Sequence, residues 1–369
     1  MIIPQEYYLL ILALVFIFTL VFSILFNTIL LRFASTLGIR ENSTTISRWS
    51  SSQKPALGGI TFFISFLISV SFHSIFFNHY VSIFNNIQAL GVLATVSVAF
   101  LMGLADDAYN TKPFLKFAVQ ALCSIILIST NNYINITDFA YFNYILTFLW
   151  VVGIMNSINM LDNMDGITTS VSITIIACIF VSLKIGNELS LFDSLVLIGV
   201  MGSLCGFLFH NWHPSRMFMG DTGSQFLGMF LAYFGIKYLW NSTDFNGEHI
   251  PTKQLCTVLV AFILPILDTT FVTISRLMKR KSPFVGGKDH TTHHVSYLGL
   301  SDSQVSFLFV GLGGFSVFLV LLINRFVTGW DHLYTVICFA YFVILLLVAF
   351  LIKHNTKAQL ANEIKKQNS

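Results

Sequence analysis

Charge is scarce in this chain: Asp, Glu, Lys and Arg together make up 10% of its 369 residues, against about 25% in ordinary soluble domains. A solvated globular surface is excluded by that shortage, and no basic face is left over for a nucleic acid. Cysteine is sparse as well. Cys123, Cys178, Cys205, Cys256 and Cys338 sit singly in apolar segments with no paired spacing, which implies neither a zinc site nor a disulfide framework. The first apolar segment has no basic flank before it and no small-residue cleavage signal after it, so it is expected as a retained helix and not a signal peptide. Repeated blocks of helices of the kind that build two-fold transporters are missing too.

What the chain has in quantity is apolar length. Hydrophobic residues make up 55% of it, and the mean hydropathy is +0.76. Segments of about 20 residues, enough to cross a hydrocarbon core, fall at 5–32, 56–77, 88–105, 114–131, 141–159, 166–183, 190–210, 222–240, 254–275, 304–325 and 332–352. The expectation is an all-α polytopic membrane protein with about eleven transmembrane helices. One integral membrane domain over residues 1–352 would be followed by a polar tail, 353–369. Of the 20 Lys and Arg, all but Lys184, Lys237, Lys253 and Arg325 fall on one set of span ends. Cytoplasmic ends carry such an excess, so the N-terminus is expected outside and the C-terminus inside.

The unusual polar residues all land on that same cytoplasmic side. Asp106 and Asp107 end the third expected span, with Lys116 close behind. Adjacent carboxylates there can ligate Mg²⁺ or make one of the pair a base, though a solvated interfacial turn would also hold them. NSINMLDNMDGI ends the fifth span and spaces Asn156, Asn159, Asp162 and Asp165 three apart, along one slowly rotating helix face. Helix capping explains one or two such residues but not four in register. Asp221, inside Gly-Asp-Thr-Gly-Ser, opens the eighth span. It is either an N-cap or one side of a metal-bridged pyrophosphate site at a helix N-terminus. RLMKRKSPFVGGKDHTTHHVSYLGL gathers basic residues with His290, His293 and His294. No fourth ligand or cysteine completes a zinc site there, so a phosphate clamp or an anionic-lipid surface is the expectation. Finally, Lys54 precedes Pro55 and the paired Gly58 and Gly59, a turn able to offer a further phosphate contact.

In their order these motifs resemble the polyprenyl-phosphate N-acetylhexosamine-1-phosphate transferases, over roughly residues 54–300. The resemblance implies roles. Asn159 and Asp221 match positions that bind a catalytic Mg²⁺, for which Mn²⁺ is a substitute. Asp106 and Asp107 match the acidic pair facing a lipid phosphate, and Lys116 the basic residue after it. Asp162 and Asp165 match acids that orient the nucleotide sugar, with Asn156 and Lys54 among the substrate contacts. Asn211 matches an asparagine near the nucleotide, Phe218 an aromatic that stacks on uracil, and His290, His293 and His294 a loop contacting pyrophosphate and sugar. One departure is visible: the family's usual Asp-Gly-x-Asp-Gly is here Asp162-Asn163-Met164-Asp165-Gly166.

The implied reaction transfers a sugar 1-phosphate from a UDP-N-acetylhexosamine to undecaprenyl phosphate, releasing UMP, at the inner (cytoplasmic) membrane as a first step of cell-envelope polysaccharide synthesis, O-antigen or teichoic acid among the possible products. The Asp-His-x-x-His loop favours N-acetylglucosamine over the muramoyl-pentapeptide substrate of peptidoglycan synthesis. A homodimer is among the expectations. A secondary transporter of an anionic solute is the rival of a different class, but its acids would lie near the bilayer midplane and not at one surface.

Overall fold

A computed structural model of the protein describes residues 5–34, 54–77, 86–183, 190–244, 247–282, 287–327 and 329–367. Arg40, Arg48 and Lys184, part of the charge count above, lie outside them. The described residues form thirteen α-helices. In chain order these are α1 (Gln5–Ala34), α2 (Gly58–Phe77), α3 (Ile87–Tyr109), α4 (Pro113–Ser129), α5 (Ala140–Leu161), α6 (Ile167–Leu183), α7 (Leu191–Asn211), α8 (Gly220–Gly235), α9 (Pro251–Ala261), α10 (Ile263–Leu277), α11 (Thr291–Tyr297), α12 (Asp302–Arg325) and α13 (His332–Gln367). A π-helical turn, Ile236–Trp240, carries α8 on to the length of the expected eighth span. Among the described residues there is no strand, and one isolated parallel bridge pairs Ala56 with Phe218.

Every expected span coincides with helix. Seven of these helices are long and apolar enough to cross a membrane, or eight if a bent pair counts as one span, so this is a multi-pass membrane protein. The bent pair corrects an expectation. Residues 254–275 do not form one straight helix; α9 and α10 meet at Phe262 at an angle of 79°. Pro265 lies in the first turn of α10; in one straight helix its ring would clash with the carbonyl four residues back, that of Ala261, and it has no N–H to give the preceding turn. α13 continues without a break into the segment expected as a polar tail.

The core is built around α8. From Thr222 to Gly235 every residue of that helix is buried, so it packs on all sides and needs no polar stripe. Two glycines admit its N-terminus. A Cβ on Gly59 of α2 would lie 2.1 Å from the Gly223 nitrogen, and one on Gly103 of α3 would lie 2.3 Å from the Asp221 carbonyl oxygen. Both neighbours are backbone and cannot swing aside. α1 seats against α7 by the same rule of small residues and shared polar groups: Gly202 and Gly206 face Thr19 and Ser23, and the Ser23 hydroxyl donates to the Ser203 carbonyl at 2.7 Å. Asn27 extends that seam to α2 by accepting from the Thr61 hydroxyl at 2.8 Å.

Candidate active site

Four helix ends bring five of the expected residues into one cluster. α3 delivers Asp106 and Asp107 in its last turn, α4 delivers Lys116 in its first, α5 delivers Asn159 in its last, and α8 delivers Asp221 in its first. Lys116 Nζ lies 2.5 Å from Asp106 and 3.2 Å from Asp221, so one ammonium is shared between two carboxylates. The Asn159 amide donates to Asp221 at 2.6 Å and to the Ser224 hydroxyl at 2.8 Å. Asp106 is buried and also accepts from the Thr111 N–H at 2.9 Å and its hydroxyl at 2.5 Å, fixing the turn that leads into α4. Asp221 keeps 31% of its side chain exposed, which leaves it the open member of the group.

Asp107 does something the sequence did not announce. Its two oxygens accept from the Asp221 N–H at 3.0 Å, the Thr222 N–H at 2.8 Å and the Thr222 hydroxyl at 2.7 Å. The first N–H groups of a helix have no partner within it, and a carboxylate placed there satisfies them and complements the helix dipole. Asp107 of α3 is therefore the N-terminal anchor of α8, the helix that presents Asp221.

A second cluster surrounds Asp165, in the turn after α5. It accepts from the Ser215 N–H at 3.0 Å and hydroxyl at 2.7 Å, faces His213 Nδ1 at 3.2 Å, and lies 3.5 Å from Lys54 Nζ. Because a carboxylate can only accept, the His213 proton sits on Nδ1 when the ring is neutral. Lys54 donates to Ser215 at 2.9 Å and sits 5.1 Å from the ring centre of half-buried Phe218, a cation–π contact. The Gly58 and Gly59 N–H groups donate to the Phe218 and Met219 carbonyls at 3.1 and 3.0 Å. They dock the 218–219 segment ahead of α8 as a backbone clamp, and Lys54 is the member of this turn that faces the second cluster. Behind the turn, buried Asn211 accepts from the Gly166 N–H at 3.2 Å and the Thr169 hydroxyl at 2.7 Å and donates to the Met217 carbonyl at 3.0 Å. Gly166 itself has φ of +74°, a conformation that suits glycine.

The histidines form a third cluster on α11 and its N-cap. His290 Nδ1 lies 2.8 Å from Asp268 of α10, which also accepts from the Thr291 N–H at 2.8 Å and hydroxyl at 2.7 Å. His294 Nδ1 lies 3.3 Å from the Thr356 hydroxyl of α13. His293 is fully buried, and that burial, then the charge of His290, pushes its pKa down to about 3. Burial would raise Asp289, but Arg276 donates to both its oxygens, at 3.0 and 2.7 Å, and holds its carboxyl below the usual range. Asn163 joins this cluster to the turn after α5 by accepting from the Thr292 hydroxyl at 2.6 Å.

The end of α5 and the turn after it are therefore the hub: Asn159 reaches the first cluster, Asp165 the second and Asn163 the third, while half-buried Asp162 ends α5 with its N–H on the Asn159 carbonyl at 3.3 Å. Asn156 sits one turn inside the bundle, bonded to Gln120 at 2.8 Å. Asp268, Gln120 and the Arg276–Asp289 pair were missed from sequence. Asp268 carried a usable signal, since an Asp within an apolar segment is costly unless it has a task. As for a metal, Asn159 and Asp221 offer the hard oxygens that Mg²⁺ takes. Among the described residues there is no cluster of three or more His, Cys, Asp or Glu able to hold an ion alone. Mg²⁺ is commonly held by one or two carboxylates together with substrate phosphates, so the donor set fits.

Residues 89–239 match the model of the family described as glycosyl transferase family 4. The chain is 29% identical over 307 residues to a probable undecaprenyl-phosphate N-acetylglucosaminyl 1-phosphate transferase of Bacillus subtilis, covering 80% of this chain and 78% of that one. It is 30% identical over 197 residues to an undecaprenyl-phosphate alpha-N-acetylglucosaminyl 1-phosphate transferase of Thermotoga maritima, covering 53% and 57%. It is 32% identical over 199 residues to a phospho-N-acetylmuramoyl-pentapeptide-transferase of Kosmotoga olearia, covering 53% and 54%. A helical membrane protein with its acids gathered at helix ends thus has a class of relatives: over residues 89–239 it matches glycosyl transferase family 4, and over most of its length it is similar to a polyprenyl-phosphate N-acetylhexosamine-1-phosphate transferase.

Proposed function

We propose that the protein transfers N-acetylglucosamine 1-phosphate, or a closely related N-acetylhexosamine 1-phosphate, from its UDP-sugar to undecaprenyl phosphate, releasing UMP. The observation that carries this reading is the single ammonium of Lys116 set between Asp106 and Asp221 at the meeting point of α3, α4 and α8. Bringing two phosphates together is the energetic problem of the reaction, and it calls for fixed positive charge and held donors. The printed names of the Bacillus and Thermotoga relatives and the Asp289-His290-x-x-His293 loop support N-acetylglucosamine as the sugar.

In this reading a lipid phosphate oxygen forms a bond to the β-phosphorus of the UDP-sugar as the bond from that phosphorus to the UMP oxygen breaks. A phosphate monoester, with its second pKa near ~6, is mostly dianionic at neutral pH and needs little help from a base. That suits an Asp107 whose oxygens are committed to the α8 N-terminus, so Asp107 positions and Lys116 binds the incoming phosphate. His290, with its Nδ1 proton held by Asp268, keeps Nε2 for substrate as an acceptor when neutral or a donor when charged. Phe218 with Lys54 offers a base-stacking face beside a cation, Asp162 frames the sugar, and Asp165 balances the charge of Lys54 until substrate arrives. Asn159 and Asp221 would hold Mg²⁺, which supplies countercharge to the diphosphate when bound. Eleven crossings, an outside N-terminus, an inside C-terminus and a site on the cytoplasmic face of the inner membrane complete the proposal.

The test is UMP release by the purified protein in detergent with Mg²⁺, undecaprenyl phosphate and a panel of UDP-sugars. Release with UDP-N-acetylglucosamine is expected. Absence of release with every UDP-sugar overturns the reaction and favours a transporter, and release with UDP-N-acetylmuramoyl-pentapeptide alone moves the protein to the peptidoglycan branch.

A further inference from the structure

One helical turn inside the cluster of Lys116, Asn159 and Asp221, the same three helices meet again through side-chain amides. Gln120 follows Lys116 by four residues on α4, Asn156 precedes Asn159 by three on α5, and Gln225 follows Asp221 by four on α8. Those spacings place each amide on the same helix face as its site residue. The Asn156 amide donates to Gln120 at 2.8 Å, and the Gln120 amide donates to Gln225 at 3.2 Å and toward Asn156 at 3.4 Å. Gln120 and Gln225 are each 1% exposed. The network is thus a second layer that repeats the geometry of the site above it with neutral groups.

We propose that Gln120, Asn156 and Gln225 form a positioning layer that sets the mutual register of Lys116, Asn159 and Asp221, and that Asn156 acts there and not on the sugar nucleotide. Buried amides have few alternative partners in an apolar bundle, so the three helices settle where the amides meet. A shift of one helix by a single residue is about 1.5 Å along its axis. That is enough to break the 2.8 Å contact and to pull Lys116 away from Asp221. The buried Nε2 of Gln225 has no hydrogen-bond partner among the described residues.

The inference rests on the proposed reaction, and the experiment separates the two. Gln120→Met and Gln225→Met keep the side-chain volume and remove the amides. Each is expected to lower kcat for UMP release at least tenfold while KM for the UDP-sugar changes less than twofold. The double variant should be no worse than about twofold below the single ones, because one layer is lost only once, and Gln120→Asn with Asn156→Gln should recover part of the rate. Unchanged kcat with lower thermal stability assigns the layer a merely structural role and overturns the proposal. A raised KM in Asn156→Leu without one in Gln120→Met overturns it as well, by returning Asn156 to the substrate. Should the unmodified protein release no UMP, the reaction falls on its own. The layer is then judged by melting temperature in detergent: non-additive losses in the double variant support it, and additive losses overturn it.

Discussion

Replacing Asp107 with Asn tests whether this carboxylate anchors α8 or takes a proton. An Asn side chain keeps one acceptor oxygen and turns an NH₂ toward donors that the carboxylate now receives, either the Asp221 N–H or the Thr222 N–H and hydroxyl. Losing the negative charge at a partly buried helix N-terminus costs up to ~2 kcal/mol. Leaving at least one buried donor facing another donor costs a further ~1–3 kcal/mol. Asp107→Asn should therefore destabilise the protein by roughly 3 kcal/mol, seen as a fall of several degrees in melting temperature in detergent. Activity should fall with it, about 100-fold, because α8 carries Asp221 and a misplacement near 1 Å is that costly. The pH dependence of the residual kcat/KM should keep its shape, since no titrating base has been removed. An Asp107→Asn protein that melts like the unmodified chain but has lost its acidic limb would refute the anchoring role and restore Asp107 as a base.

Other expectations follow from the same contacts. Lys116→Met leaves Asp106 and Asp221 facing each other with no ammonium between them; UMP release should drop at least ~100-fold with Lys116→Arg retaining part of it, and near-normal release from the Met variant would contradict the proposed phosphate contact. Gly103→Ala would place a methyl 2.3 Å from the Asp221 carbonyl, an overpacking worth ~1–3 kcal/mol, and should lower folded yield and melting temperature together, whereas Gly314→Ala, with open space around it, should lower neither. The third concerns acid. His293 is held neutral down to about pH 3 while in the unfolded chain it titrates near ~6.5. The unfolded state therefore binds more protons between those values, and stability should fall as pH falls through that window, by up to ~1.4 kcal/mol per pH unit. Asp289, held below the usual carboxylate range, adds to the loss in the same direction at lower pH. Melts between pH 7 and 4 on His293→Phe should show a shallower decline; an equal slope would mean that His293 is not the group responsible.

Helices were legible because long apolar runs leave few other choices, and each expected span contains one. The break at Phe262 was legible only in hindsight, through Pro265, because a proline near an expected span's middle can kink or be tolerated depending on the neighbours. For the site, local spacing revealed which residues carry oxygen and on which helix face, but not to whom each is bonded. Asp107 meets Thr222 across 115 positions of sequence, and Asp165 meets Ser215 across 50; no local pattern encodes such partners. For the same reason Asn211 could be set near the nucleotide by resemblance but not seen to lace Gly166, Thr169 and Met217 together. Gln120 and Gln225 were invisible because a single glutamine in an apolar helix has no motif, and its meaning appears only when the helix beside it supplies another amide.

The pairing of charges also bears on how the site handles anions. Lys116 is matched by Asp106 and Asp221, Lys54 lies near Asp165, and Arg276 is held by Asp289. An unpaired cation at partly buried positions would carry a desolvation cost, and these acids offset it when no substrate is bound. A phosphate must then compete with a carboxylate for each cation, so the net gain per contact is smaller than the contact itself. Tight ground-state binding would not help a reaction that exchanges one phosphoanhydride for another and so lies near equilibrium. Product has to leave as readily as substrate arrives, and interactions held equally in both states do not raise the rate. Pre-paired cations give that balance, and they predict that Asp165→Asn, by releasing Lys54 from its nearby acid, lowers KM for the UDP-sugar while kcat does not rise. Steady-state kinetics on that variant decide the point: a raised KM would mean that Asp165 holds the nucleotide sugar directly, and that its charge is not chiefly a counterweight to Lys54.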